Sequence, residues 1–280
     1  MNNMTLNPFR YPVHAWKPIE NPENPPSLEE AKKLWVKNKV IPPHLEDVLY
    51  ETLRHYPELK ETYLIVVETQ FYGVQHSLRS YPPLLSLPNK RADRVYPIVF
   101  NTNKKIPNGF YALSGTEQKG ILAHELAHIL DYTKRTSPQI IGFAFTVWLS
   151  KKFIRDIEHA TDKTAIMRNC GDYLLAYREK ALDSVSPRLK MYLETIYLKP
   201  GEIVAEEKAN HLPTQGAEVI RKPPGAEKKT GKPKIVEGIF YSLVTALSFF
   251  PAIIQMMYLV WIRNMHKKPN WYKRKTTGQR

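Results

Sequence analysis

The chain has 280 residues, is 42% hydrophobic, and carries a formal net charge of +14, enough for one substantial domain with appendages. Its single cysteine, Cys170, excludes an internal disulfide and fits a reducing compartment. The positive charge points to nucleic acid or to an anionic membrane surface, and where it sits along the chain decides between them.

Residues 1–26 include Pro8, Pro12, Pro18, Pro22, Pro25 and Pro26 and read as an extended N-terminus. No apolar stretch follows a basic start there, so no secretory signal is expected. Ser27-Leu-Glu-Glu30 has capping-box spacing and opens a helix through about Lys37. A second helix is expected over 44–55, with Trp35, Val36, Leu45, Val48 and Leu49 as core candidates. Tyr63-Leu-Ile-Val-Val67 reads as a strand, and 72–93, with Gly73, Pro82, Pro83 and Pro88, as loop. Residues 94–101 read as a second strand. Pro97 cannot donate to a ladder, so that strand is expected at an edge or irregular.

Ser114-Gly-Thr-Glu117 is another capping box, and good helix formers fill 117–130. That helix carries His124-Glu125-Leu-Ala-His128. Positions i and i+4 share a helix face, so both imidazoles can bind one zinc ion from the same side. Glu125 sits beside the remaining coordination position, where a carboxylate can accept a proton from an attacking water. A catalytic zinc site needs a third protein ligand. Asp131 and Lys134 stand where a Gly and a third His following His128 would be required, so the ligand must come from elsewhere. Residues 150–167 supply Ile157-Glu158-His159-Ala160-Thr161-Asp162 on a helix with a substantial apolar face. Glu158 and Asp162 are four apart: Glu158 can ligate zinc, and Asp162 can accept the other ring N–H of a ligand histidine. His159 points about 100° away from Glu158 and is the weaker ligand.

His124-Glu125-x-x-His128 followed by Glu158-x-x-x-Asp162 resembles the gluzincin zinc metallopeptidases. Within them it is most similar to the membrane-bound peptidases that process prenylated proteins and their bacterial heat-shock relatives. The resemblance covers roughly 90–170. It implies a zincin-like α+β domain, mainly helical, with a small sheet. It also implies Zn2+ held by His124, His128 and Glu158, with Glu125 as general base and Asp162 behind a ligand. Thr161 stands where that branch commonly has Ala. In zincins an edge strand above the metal binds substrate backbone, and the resemblance suggests that role for 94–101.

Between the two motifs, residues 139–149 are uncharged and too short to cross a bilayer, so they form either a buried helix or one that dips into a membrane surface. Arg-Asn-Cys-Gly171 reads as a helix end with Gly171 as the stop. Two more helices are expected over 172–185 and 187–198. Tyr173, Tyr177, His211 and Arg168 are candidate oxyanion donors among which spacing does not choose. The domain then spans 27–212, followed by a Lys/Pro/Gly linker at 213–234, a membrane segment at 235–262 and a basic tail at 263–280.

The 25 residues 238–262 carry no charge, with Phe240, Tyr241, Tyr258 and Trp261 near the ends and Pro251 in the middle. Basic residues flank both ends, so a hairpin at Pro251 keeps both flanks and the catalytic domain on the cytoplasmic side; a single C-terminal span is the alternative. The positive charge is thereby a membrane-surface feature, and no nucleic-acid motif accompanies it. The expected protein is a membrane-associated zinc metalloendopeptidase acting on protein or peptide substrates. The alternative is a membrane-attached zinc-binding protein without peptidase activity.

Overall fold

A computed structural model of the chain describes residues 26–70, 77–103, 105–106 and 109–211. The chain divides into two compact units, Met1–Gly225 and Ala226–Arg280, the second wholly outside the described residues. The expected extended N-terminus (apart from Pro26), linker, membrane segment and basic tail all lie outside them as well.

The architecture is α+β and mainly helical, with one small sheet. Helices α1 (Leu28–Trp35) and α2 (Glu46–Leu53) alternate with strands β1 (Lys39–Val40) and β2 (Tyr63–Thr69). Strands β3 (Leu78–Ser80) and β4 (Val95–Asn101) complete the sheet. Six helices follow: α3 (Gly115–Lys134), α4 (Ser137–Leu149), α5 (Lys151–Met167), α6 (Gly171–Asp183), α7 (Pro187–Ile196) and α8 (Pro200–His211). The order across the sheet is β1-β2-β4-β3, with β3 alone antiparallel. Among the described residues, no helix is long and apolar enough to cross a membrane.

Both expected capping boxes form. Ser27 accepts from the Glu30 N–H and Ser114 from that of Glu117, while each glutamate reaches back to the cap N–H. They fix where α1 and α3 begin, and the α3 box sets the rotation that turns its motif residues inward. From Gly120 to Leu130 every residue of α3 is buried. Leu122, Leu126 and Ile129 sit in one core with Leu49, Leu53, Tyr56, Leu64, Ile98 and Phe100. The Tyr56 hydroxyl donates to the Ala123 carbonyl at 2.7 Å, tying α3 to the end of α2. Helix α6 crosses α3 so closely that a Cβ at Gly120 would lie 2.0 Å from the Tyr173 carbonyl oxygen.

Of the core candidates, Val36 is exposed rather than buried. Three further expectations are corrected. The strand containing Pro97 is not at an edge: β4 lies between β2 and β3. In an antiparallel hydrogen-bonded pair the two residues exchange both bonds. The Tyr81 N–H donates to the Pro97 carbonyl at 3.1 Å, and Pro97 has no N–H to return. Since β3 ends at Ser80, the missing donor falls where the ladder stops. The substrate-binding role suggested for 94–101 therefore has no edge there, and the edge nearest α3 belongs to β3. Second, 72–93 is not all loop, because β3 lies inside it. Third, Gly171 is not the stop after α5. Asn169, with φ of 56°, takes the left-handed turn, and Gly171 opens α6, where a Cβ would meet the Glu207 carboxylate at 2.3 Å.

Candidate metal centre

Helix α3 presents His124 and His128 one turn apart, with ring centroids 4.8 Å apart and planes at 85°. Helix α5 brings Glu158 against both. Its Oε2 is 3.0 Å from His124 Nε2 and 3.2 Å from His128 Nε2. One ligand atom from each of the three residues lies within 4.8 Å of the others, and the group could hold a metal ion. His124 and His128 are 6% and 7% exposed, so such an ion would be largely removed from water. His159 is not part of this group.

The far side of each ring is already engaged. His124 Nδ1 is 2.7 Å from Asp162 Oδ1, so it carries the proton and donates to that carboxylate. His128 Nδ1 is 3.2 Å from Thr161 Oγ1, and the Thr161 hydroxyl donates its own proton to the Ile157 carbonyl at 2.9 Å. With that proton spent, Thr161 can only accept from His128, which puts the His128 proton on Nδ1. Both histidines therefore turn Nε2 toward Glu158, and with the Nδ1 proton engaged elsewhere Nε2 is the atom that can give up its proton to a metal.

Asp162 is fully buried and collects four contacts. Arg178 Nη2 donates to both of its oxygens at 3.0 Å, the Leu198 N–H donates to Oδ2 at 3.0 Å, and His124 supplies the fourth. Burial works to raise the Asp162 pKa, and Arg178, His124 and the Leu198 N–H outweigh it, leaving the carboxyl below its usual range. Burial likewise opposes charge on both His124 and Glu158. Hydrogen bonds to Asp162 and Glu158 still push His124 up to about 10. The facing His128 and His124 hold Glu158 well below the ordinary carboxylate range. An ionised carboxylate thus sits among nitrogens that take up positive charge, which is the electrostatics of a cation site.

Glu125 is 6% exposed and faces the sheet. Its Oε2 accepts from the Ser80 N–H and from Ser80 Oγ, both at 2.6 Å. Arg79, the neighbour of Ser80 on β3, lies within the electrostatic reach of the group. Burial opposes its charge, but Tyr81, Glu158, Tyr197 and Glu125 together raise its pKa. Tyr197 stands edge-on to the His124 ring at 5.6 Å, with the Arg178 guanidinium 4.3 Å over its own ring.

The structure brings together His124, Glu125, His128, Glu158 and Asp162. Of the oxyanion candidates, Tyr177 has its pKa raised chiefly by burial, with Arg178 opposing and Glu125 and Asp162 adding to the rise. Arg168 is paired with Glu58, and Tyr173 packs against Lys119 and His55. The His211 side chain is outside the described residues. Sequence reasoning missed Ser80, Arg79, Arg178, Tyr197 and the Leu198 N–H, and it passed over Thr161. A hydroxyl one residue before Asp162, four after Ile157, was the one visible signal among them, since such a position bonds back along its own helix. No protein-family model, no curated protein and no solved structure matches this chain.

Proposed function

We propose that the chain is a membrane-associated, zinc-dependent metalloendopeptidase of the gluzincin kind. The observation that carries this reading is the convergence of His124 Nε2, His128 Nε2 and a Glu158 oxygen, with both Nδ1 atoms engaged elsewhere. Two imidazole nitrogens and a carboxylate suit zinc, and three protein donors are the number a catalytic site carries. Donors at the usual zinc distances of about 2.0–2.1 Å on a tetrahedral ion lie about 3.4 Å apart. The separations of 3.0 and 3.2 Å are close to that. Bound there, zinc would supply Lewis acidity, polarising a scissile carbonyl and acidifying a water.

The chain's own groups supply the rest. Ser80 occupies Glu125 Oε2, so Oε1 takes the proton of the attacking water and Glu125 then delivers it to the leaving amine. Asp162 keeps the His124 proton on Nδ1. Arg79 lends positive charge to the carbonyl oxygen as it becomes negative. Strand β3, at the sheet edge beside Glu125, receives the substrate backbone by strand addition at Leu78, because the outward Ser80 N–H is held by Glu125. The uncharged residues 238–262 and their basic flanks support membrane attachment with the domain on the cytoplasmic side.

The test combines metal content with cleavage. Elemental analysis should find one zinc in the wild-type protein and none in His128→Ala. Glu125→Gln should keep zinc while chelator-sensitive cleavage of unfolded casein drops about a hundredfold or more. Zinc bound by a wild-type protein that leaves casein intact would favour the non-catalytic zinc protein instead.

A further inference from the structure

We propose that α4 is a docking helix that lies flat on an anionic lipid bilayer. The helix runs Ser137–Leu149 without a charged residue. Its inner side is accounted for: Ile140 is fully buried, and Phe143 packs on Tyr132 and Phe153 with the Arg135 guanidinium 4.9 Å over its ring. An ordinary surface helix turns charged and polar side chains outward. This one turns out Ile141 at 58% exposure and Phe145 at 54%, four residues apart and so on one face. Thirteen residues make about 20 Å of helix, well short of the roughly 30 Å hydrocarbon core. The helix can therefore lie in the interface but not cross it.

Positive charge stands at both of its ends. At the first, Arg94 donates to Ser137 Oγ at 2.7 Å and Ser137 to the Leu87 carbonyl at 3.0 Å. These bonds bring alongside the turn that carries exposed Lys90 and Arg91. At the other, Lys151, Lys152 and Arg155 are exposed on the first turns of α5. Asp93 and Asp156 offset part of this, Asp156 by pairing with Lys152 at 2.6 Å, and the balance stays positive. An apolar face between cationic ends is the pattern that inserts side chains at the headgroup boundary and draws in anionic lipid; a second copy of this chain would bring the same cations and be repelled. The contact does not depend on the metal. Phe143 touches Tyr132, which stacks on His128 with ring centroids 6.0 Å apart. If the metallopeptidase reading holds, docking would set the site beside the bilayer, facing protein segments that emerge from it.

The test uses the full chain with Phe145→Cys carrying an environment-sensitive fluorophore. Cys170, the other cysteine in that variant, is fully buried. Vesicles of one part phosphatidylglycerol to two parts phosphatidylcholine should shift the emission to the blue and let an acyl-chain quencher reach the label. A control label at exposed Glu179→Cys should not respond, and Ile141→Asp should abolish the response at 145. Lys151→Gln with Lys152→Gln should weaken it roughly thirtyfold in lipid concentration, taking about fivefold per lysine. Protein that pellets with vesicles while the 145 label stays open to aqueous iodide would overturn the proposal, as would failure to bind vesicles. A blue shift that needs only higher protein concentration would assign the face to a second copy and overturn it too.

Discussion

Asp162→Asn is the sharpest probe of the centre because it replaces one oxygen by an NH2 group and barely changes volume. The carboxylate is fully buried and neutralises Arg178, itself 4% exposed, through two bonds of 3.0 Å. An amide keeps one acceptor and turns its NH2 toward Arg178 in either orientation, together with His124 Nδ1–H or the Leu198 N–H. Breaking a buried ion pair from one side costs about 3–5 kcal/mol, because the other charge is left uncompensated. With a urea m-value of about 2–3 kcal/mol/M, the unfolding midpoint should fall by about 1–2.5 M. The zinc dissociation constant should rise about 10–100-fold as His124 loses its orienting partner. Circular dichroism in urea reads the first effect and competition with a zinc indicator the second. Removing the orphaned charge as well, in Asp162→Asn with Arg178→Met, should recover much of the stability and none of the zinc affinity. A single variant within about 1 kcal/mol of wild type would show that Arg178 and Asp162 are not coupled as the distances imply.

Ser80→Ala removes one of the two donors on Glu125 Oε2; at about 1.5–3 kcal/mol for a bond to a charged group, kcat on casein should fall roughly ten- to a hundredfold with KM and zinc content unchanged. Gly120→Ala forces a methyl to 2.0 Å from the Tyr173 carbonyl oxygen. Despite a helix-propensity gain of about 1 kcal/mol it should lose at least about 2 kcal/mol in urea unfolding, and a neutral result would mean α6 can slide. His55 is burdened chiefly by burial, which lowers its pKa below the ordinary 6.5 even though its ring bonds the Arg168 carbonyl. The unfolded chain then takes up the proton first, so this contribution to stability is complete above pH 6.5 and is lost as pH falls below it. Denaturation midpoints measured on either side of that pH should slope less in His55→Asn than in wild type.

The parts of the site written as local patterns could be read in advance. Ser114 with Glu117 fixed the start of α3, and spacings of four put His124 with His128 and Glu158 with Asp162 on shared faces. The rest depends on contacts between distant segments. Strand β3 is three residues long with Arg79 in the middle, too short and too polar for an alternating pattern to register. Ser80 meets Glu125 across 45 positions, and no local feature forecasts that. The Leu198 contribution is a backbone N–H, which every residue but proline has, so no side chain could announce it. Pro97 misled because proline's missing donor was charged to the whole strand, whereas only its β3 side is affected.

The wiring of Asp162 also bears on when the centre can come into being as the protein is synthesised. Every proposed ligand has been synthesised by Glu158, yet the guanidinium and the amide that steady Asp162 come 16 and 36 residues after Asp162. A nascent chain that stops short of α7 holds all three donors and Arg178 but lacks the Leu198 N–H that completes the contacts of Asp162. If the metallopeptidase reading holds, the Asp162 contacts behind His124 would be complete only once Leu198, between α7 and α8, is in place.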